Sequence, residues 1–197
     1  QNFSQGFKRQ WIKTRITKTF PLSLKVYSLK ELIIFENDSY IAINKPAGLV
    51  VNKGGHDKGM LNRLVIKHDP NLMFCHRLDK ETSGVLMLAK NEKAYRHLSI
   101  QFEDRRVNKT YHAVVKGNAN FEEDTPIDLP IRKTASSKAV IDYKLGKEAF
   151  TLIKTLENFR HATLLQCMIL TGRYHQIRIH LASYNLPIIQ DSLYGGE

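Results

Sequence analysis

Cysteine is nearly absent from this sequence: Cys75 and Cys167 are the only two in 197 residues, and they form no CxxC pair. A single disulfide is possible on paper, but a disulfide framework and a thiolate cluster for zinc are both excluded. The two thiols read more simply as buried and reduced. Long apolar runs are also missing, because Lys and Asp interrupt every hydrophobic stretch well short of a membrane span. The N-terminus carries basic residues but no apolar signal core, which predicts a cytoplasmic protein. No glycine-rich phosphate loop occurs, since Gly54-Gly55 and Gly195-Gly196 lack the strand and helix context. A nucleotide cofactor is therefore not expected. His175 and His180 stand five apart, a spacing that does not bring two imidazoles onto one helical face, so no metal site is expected either. Internal repeats and low-complexity tracts are lacking.

What the sequence has in excess is positive charge. Thirty Lys and Arg face nineteen Asp and Glu, a formal net charge of +11 with a pI near 9.6. A surplus of this size favours polyanionic partners, although solubility alone is an equally economical explanation. With 42% hydrophobic and 25% charged residues the composition is that of an ordinary globular protein. The length fits one domain, or one domain plus an arm. Residues 1–30 hold seven Lys or Arg and no acid, with Phe3, Phe7, Trp11 and Phe20 set among them. Such a segment is either a basic arm whose aromatics stack on unpaired bases, or the remnant of an upstream RNA-binding segment docked on the core. Gln1 in place of an initiator Met reads as a processed product or a fragment.

From residue 31 the pattern is regular. Apolar runs at 32–35 and 40–43 flank Asn37-Asp38-Ser39, a hairpin signal. Lys45-Pro46-Ala47-Gly48 closes the second run with a turn. Leu61, Leu64, Val65 and His68 keep helical spacing until Asp69-Pro70 stops them. A buried strand is predicted over 85–89, and Asn91 caps a helix whose inner stripe is Ala94, Leu98 and Phe102. Tyr111, Ala113 and Val115 alternate as a strand does, residues 139–143, 150–156 and 162–170 predict three more, and Ile177, Leu181 and Tyr184 make a last helical stripe. Strands and helices do not alternate strictly. The fold class expected is α+β, a mixed and mostly antiparallel sheet flanked by helices.

The densest chemistry lies in His76-Arg77-Leu78-Asp79-Lys80-Glu81-Thr82-Ser83-Gly84, a charged loop running straight into the 85–89 strand. The hydroxyls and amides of Thr82, Ser83 and Gly84 can hold the Asp79 carboxylate so that it points out of a rigid sheet. The same residues also allow Asp79 merely to close a local turn. On spacing alone Tyr111 is a core-facing strand residue, and Arg178, beside Ile177 and Leu181, is a helix-surface cation.

The HRLDKETSGVLMLAKN stretch resembles the signature loop of the RluA-type RNA pseudouridine synthases, a long and specific motif. Three further segments are similar to that family's in the same order. They are Lys45-Pro46-Ala47-Gly48, the 107–117 segment VNKTYHAVVKG, and the 171–181 segment TGRYHQIRIHL, with the matches reaching residue 194. The resemblance implies a pseudouridine synthase catalytic domain over 31–197 that isomerises uridine to pseudouridine in tRNA or ribosomal RNA, without a cofactor. It implies Asp79 as the nucleophile, Arg178 as the cation that keeps it ionised, and Tyr111 as the ring that lies against uracil and helps remove the proton at the new bond. His76, Arg77, Lys109, Arg173, His175 and Gln176 are expected to contact RNA, with Arg77 filling the space left by the everted base. Two positions depart from the pattern: Tyr174 stands where the family usually has Thr, and Gln190 where it usually has Gly. Relatives also continue with further strands, so a domain truncated at the C-terminus is expected. These departures sustain a second reading, a non-catalytic RNA-binding protein on the same scaffold. A glycosidase, which would need a second acid such as Glu81, is the third.

Overall fold

The computed structural model describes residues 28–51 and 59–196; nearly all of the expected basic arm, and the Gly54-Gly55 pair, lie outside them. The described chain begins with a single helical turn, Leu29–Leu32 (α1), whose Leu29 and Leu32 are both core residues. Leu29 thus belongs to the domain that the sequence was expected to start at residue 31. The hairpin follows as Ile33–Glu36 (β1) and Tyr40–Lys45 (β2). Its turn closes because the Asn37 Oδ1 accepts the backbone N–H groups of Ser39 and Tyr40 at 2.9 and 2.8 Å. Met60–His68 (α2) ends where Pro70 requires it: the C-cap Asp69 is already extended at φ −157°. Met73–Phe74 (β3) and Gly84–Ala89 (β4) then bracket the charged loop.

These strands form an antiparallel sheet in the order β1-β2-β4-β3. Ile41 lies opposite Leu88 and Ile43 opposite Leu86. That face packs on Leu61 and Val65 of α2 and on α1, giving one hydrophobic core. Glu92–Glu103 (α3), capped by the Asn91 side chain accepting from Ala94 N at 2.9 Å, lays Ala94, Leu98 and Phe102 over Met87 and Ala89. Both readings made from the spacing, cap and stripe, are as expected.

The second half is built from Lys109–Lys116 (β5), Thr125–Asp128 (β6), Ile131–Lys133 (β7), Ala139–Ile141 (β8), Phe150–Asn158 (β9), Ala162–Ile169 (β10) and Gln176–Ser183 (α4). A second antiparallel sheet runs β5-β10-β9-β6, with β7-β8 as a separate ribbon. Cys167, flanked by Tyr111 and Ile153, sits in its core with Leu165, Val115 and Leu181. Burial pushes the Cys167 thiol up to about 12, and both cysteines are buried without a disulfide between them. Tyr111 packs against both cores.

The expected single sheet is therefore two sheets and a ribbon, α+β and antiparallel throughout its strand pairs. The expected strand at 139–143 stops at Ile141, leaving Tyr143 78% exposed. The helical stripe is also corrected. Tyr184 is the exposed C-cap of α4, and the buried face is Gln176, His180 and Leu181. His180 is fully buried. Burial lowers its pKa, and the neutral ring sits between the Leu129 carbonyl and the Thr151 hydroxyl, each at 2.9 Å.

Candidate active site

The loop ahead of β4 sends two side chains into the core and leaves those between and after them to the surface and the cleft. Cys75 and Leu78 are buried, whereas Arg77 is exposed and Asp79 partly so. Backbone bonds fix it: Cys75 N donates to the Met87 carbonyl at 3.1 Å and Thr82 N to the Asp79 carbonyl at 3.1 Å. Asp79 does close a turn, but with its backbone, which leaves its carboxylate to the cleft. The expected hold by Thr82, Ser83 and Gly84 side chains and amides is replaced by this backbone turn.

A residue not singled out from the sequence anchors the loop. The Lys45 side chain is completely buried, and its ammonium donates to the carbonyls of Pro46, Leu49 and Lys80 at 2.9, 2.9 and 3.1 Å. Gly48, at φ +87°, donates its own N–H to the same Lys80 carbonyl at 2.8 Å. The KPAG turn and the residue after Asp79 are thus tied through one cation. Burial holds Lys45 down to about 8, against the pull of Glu81 and Asp79. In the sequence Lys45 appears as the end of an apolar strand and the first residue of the KPAG motif, and neither reading assigns its side chain a role.

The opposite wall is the segment before and within α4. Gln176 is 3% exposed and uses all its polar atoms. Its amide nitrogen donates to the Phe150 carbonyl and the Thr151 hydroxyl at 3.0 Å each, and its oxygen accepts from the Thr171 hydroxyl at 2.8 Å and Arg173 N at 2.9 Å. This clamp bends the chain so that His175 takes a left-handed conformation, φ +54°, and turns its ring into the cleft. Tyr174 stacks on that ring at 3.8 Å between centroids, and the Tyr194 hydroxyl meets its Nδ1 at 2.9 Å. His175 Nε2 lies 4.0 Å from Asp79 Oδ2.

Arg178 makes a two-pronged bond to Asp191, Nε to Oδ2 at 2.7 Å and Nη2 to Oδ1 at 2.8 Å. That bond, and more weakly the charge of Asp79, raises the guanidinium's pKa further. Among the described residues Arg178 makes no ion pair with Asp79, the acid it is expected to keep ionised. Asp191 takes the fork, and Asp79 feels the cation at longer range across the cleft. Asp191 is presented by the 188–196 loop, in which Gln190 adopts φ +65° and Gly195 φ +92°. The positive φ explains why glycine is the comfortable residue at 190.

Asp79, Arg77, Val50, Tyr174, His175 and Arg178 line one cleft of about 280 Å³. Tyr111 lies deeper. Burial first, and Asp79's charge second, raise its phenol pKa, which keeps it protonated. That protonation suits a ring lying against a base better than a group that accepts a proton.

The expected RNA contacts divide. Arg77 is exposed on the cleft. His76 is corrected to an internal anchor: its Nε2 accepts from Met87 N at 3.0 Å and its ring packs on Phe102 at 4.8 Å. Gln176 is likewise corrected, because a buried side chain with four hydrogen bonds has none left for RNA. His175 faces Asp79 with its side chain only 10% exposed. Lys109 reaches the Thr171 carbonyl at 3.4 Å, and Arg173 Nε donates to the Glu148 carbonyl at 2.8 Å; both stay at the surface margin of this wall. Replacing Gln176 with Ala is expected to lower stability by about 2–4 kcal/mol, since several buried partners are stranded. Denaturant unfolding reads that loss. A variant with unchanged stability and weakened RNA binding would restore the RNA-contact role.

Residues 39–183 match the model of a family described as RNA pseudouridylate synthase. The chain is 41% identical over 171 residues to ribosomal large subunit pseudouridine synthase D of Nitrosomonas europaea, covering 83% of this chain and 49% of that protein. It is 37% identical to ribosomal large subunit pseudouridine synthase C of Vibrio vulnificus over 87% of this chain and 55% of that one. The chain thus spans about half the length of these relatives. The solved structure of human RNA pseudouridylate synthase domain containing 1 superposes with a TM-score of 0.71 at 26% identity, over 83% of this chain and 69% of that one.

Proposed function

The chain belongs to the RNA pseudouridylate synthase family, and from that premise we propose that it isomerises uridine to pseudouridine in ribosomal RNA, with Asp79 as the nucleophile. The observation that carries the reading is the convergence of the Asp79 carboxylate, the Arg178 guanidinium and the His175 ring on one cleft, with the exposed Arg77 at its side. Ribosomal RNA is preferred over tRNA because the relatives' names specify it. The catalytic domain comprises residues 31–197 with Leu29 docked into it, and residues 1–30 supply basic charge for the RNA.

In this reading the target nucleotide leaves its stack and enters the cleft, while Arg77 occupies the space it vacates, offsetting an eversion cost of a few kcal/mol. Asp79 forms a covalent bond to the nucleoside, and the bond between the base nitrogen and the sugar breaks. The uracil turns, its ring carbon bonds to the sugar carbon as the bond to Asp79 breaks and frees the carboxylate, the proton at that ring carbon leaves, and the ring nitrogen regains one. No water is consumed, so one carboxylate suffices where a glycosidase needs two. Arg178, held by Asp191, keeps positive potential over the carboxylate without a direct bond that would occupy an attacking oxygen. Tyr111 supports the ring from below as a neutral phenol. The exposed Lys133, Lys138, Lys144 and Lys147 on and beside the β7–β8 ribbon offer phosphate contacts.

The test is incubation of the protein with unmodified large-subunit ribosomal RNA and with tRNA, followed by chemical mapping of pseudouridine. Product at a discrete ribosomal position is the expected result. Salt-sensitive binding without product would leave a non-catalytic RNA binder, and release of free uracil would mean glycosidase chemistry.

A further inference from the structure

His175 is held more firmly than a surface contact to RNA would need. Tyr174 covers one face of its ring, the Tyr194 ring meets it edge-on at 5.7 Å, and its backbone is locked in the left-handed region. The hydrogen bonds around it also have a direction. Ala139 N donates to the Tyr194 hydroxyl oxygen at 2.7 Å. The Tyr194 phenol, which burial keeps protonated, has one hydrogen to give, and the acceptor at 2.9 Å is His175 Nδ1. A neutral imidazole that accepts at Nδ1 must carry its proton on Nε2. Nε2 is the nitrogen facing Asp79, 4.0 Å from Oδ2.

We propose that His175 is a positioning residue for the nucleophile: a relay from Ala139 N through Tyr194 fixes its proton on Nε2 and presents it to one oxygen of Asp79, aiming the other oxygen at the nucleoside. The proposal rests on the function given above. At 4.0 Å the contact is an attraction between a polar N–H and a carboxylate, of the loose kind that tightens when substrate fills a site. Burial keeps the ring neutral; Arg178 and Arg77 work in the same direction, against Asp79 and Asp191. Lys133, 4.7 Å from the Tyr174 ring, adds to the positive side. A neutral donor orients the carboxylate without neutralising it, which a charged one would do. Arg178 does not take this part: its Nε and Nη2 are given to Asp191, and among the described residues it makes no ion pair with Asp79.

Gln and Asn separate the two ring nitrogens, since the Gln amide reaches the Nε2 position and the Asn amide the Nδ1 position. Single-turnover pseudouridine formation is expected to stay within about threefold of wild type in His175→Gln. It should fall roughly 10- to 100-fold in His175→Asn, the size of effect that misaligning a reacting group by about 1 Å produces. RNA affinity should be unchanged in both. Tyr194→Phe keeps the ring and removes the relay, and is expected to lose rate with the same unchanged affinity. Equal rates in the Gln and Asn variants, together with a wild-type rate in Tyr194→Phe, would overturn the proposal. Nitrogen NMR of the imidazole reads the relay without turnover. A proton on Nε2 that redistributes in Tyr194→Phe is expected, and a proton on Nδ1 in the wild type would overturn the proposal even in an active enzyme. If the wild-type protein makes no pseudouridine while the Nε2 proton is seen, the relay stands and the function fails.

Discussion

Replacing Asp79 with Asn is expected to reduce pseudouridine formation by at least about 1,000-fold, as removal of a covalent nucleophile does, and to leave RNA binding within about threefold of wild type. The two halves of this expectation have different structural grounds. Catalysis depends on the charge and electron pair of the carboxylate, which an amide of the same shape lacks. Binding depends on basic groups elsewhere, and the loop that carries Asp79 is held by backbone bonds and by Lys45 rather than by the carboxylate. Stability is therefore expected to change by less than about 0.5 kcal/mol, as for a partly exposed polar substitution whose nearest charged contact, His175 at 4.0 Å, is loose. Pseudouridine mapping, a binding titration and thermal unfolding on one preparation read all three. Wild-type turnover in the variant would remove Asp79 from the chemistry, and a collapse of binding would make it an RNA contact.

The elements that could be read from the sequence are those governed by local rules. Asn37 and Asn91 do what short polar side chains do at a hairpin and a helix start, and Asp69-Pro70 stops α2 because proline forbids the preceding residue a helical conformation. Strands β6 and β7 escaped because four residues that include Pro126, and three that follow Pro130, carry too little period to stand out. The stripe of α4 was misjudged for a physical reason. Its inner face is lined by Gln176 and His180, polar residues that bond not only to nearby Thr171 and Arg173 but also to Phe150, Thr151 and Leu129, far away in sequence, and no local pattern announces those distant partners.

The same division runs through the site. Asp79, Arg178 and Arg77 come from recognisable motifs, and the fold brings them to one cleft. Which acid each cation pairs with was not legible. On sequence only Asp79 is assigned to Arg178, and it is the 188–196 loop that brings Asp191 to its guanidinium. The RNA contacts suffered from treating every polar residue in a motif as outward-facing. His76 and Gln176 instead spend their hydrogen bonds on holding the motif's backbone in place, which is itself a condition for Asp79 and His175 to meet across the cleft.

Lys45→Met is the second substitution expected to have a large effect, and its pH dependence distinguishes a buried cation from mere packing. Met fills nearly the same volume but gives nothing to the carbonyls of Pro46, Leu49 and Lys80. Stranding these acceptors is expected to cost about 2–4 kcal/mol at neutral pH, net of the relief from no longer burying a charge. With its anchor at Lys80 gone, the loop should also misplace Asp79 and slow turnover by about 10- to 100-fold, with RNA affinity kept. The sign of the pH effect follows from the depressed pKa. In the folded chain Lys45 gives up its proton at about 8, and in the unfolded chain at the ordinary 10.5. Below 8 both states are charged, and the fold bears the full cost of the buried ammonium. Between 8 and 10.5 the unfolded chain binds the extra proton, so this group adds stability as pH rises, and that addition is lost again as pH falls through 8. The stability gap between wild type and Lys45→Met should therefore widen from pH 8 towards pH 10. A gap that stays flat across this range would mean that Lys45 keeps its proton, held by three carbonyls more strongly than its burial opposes.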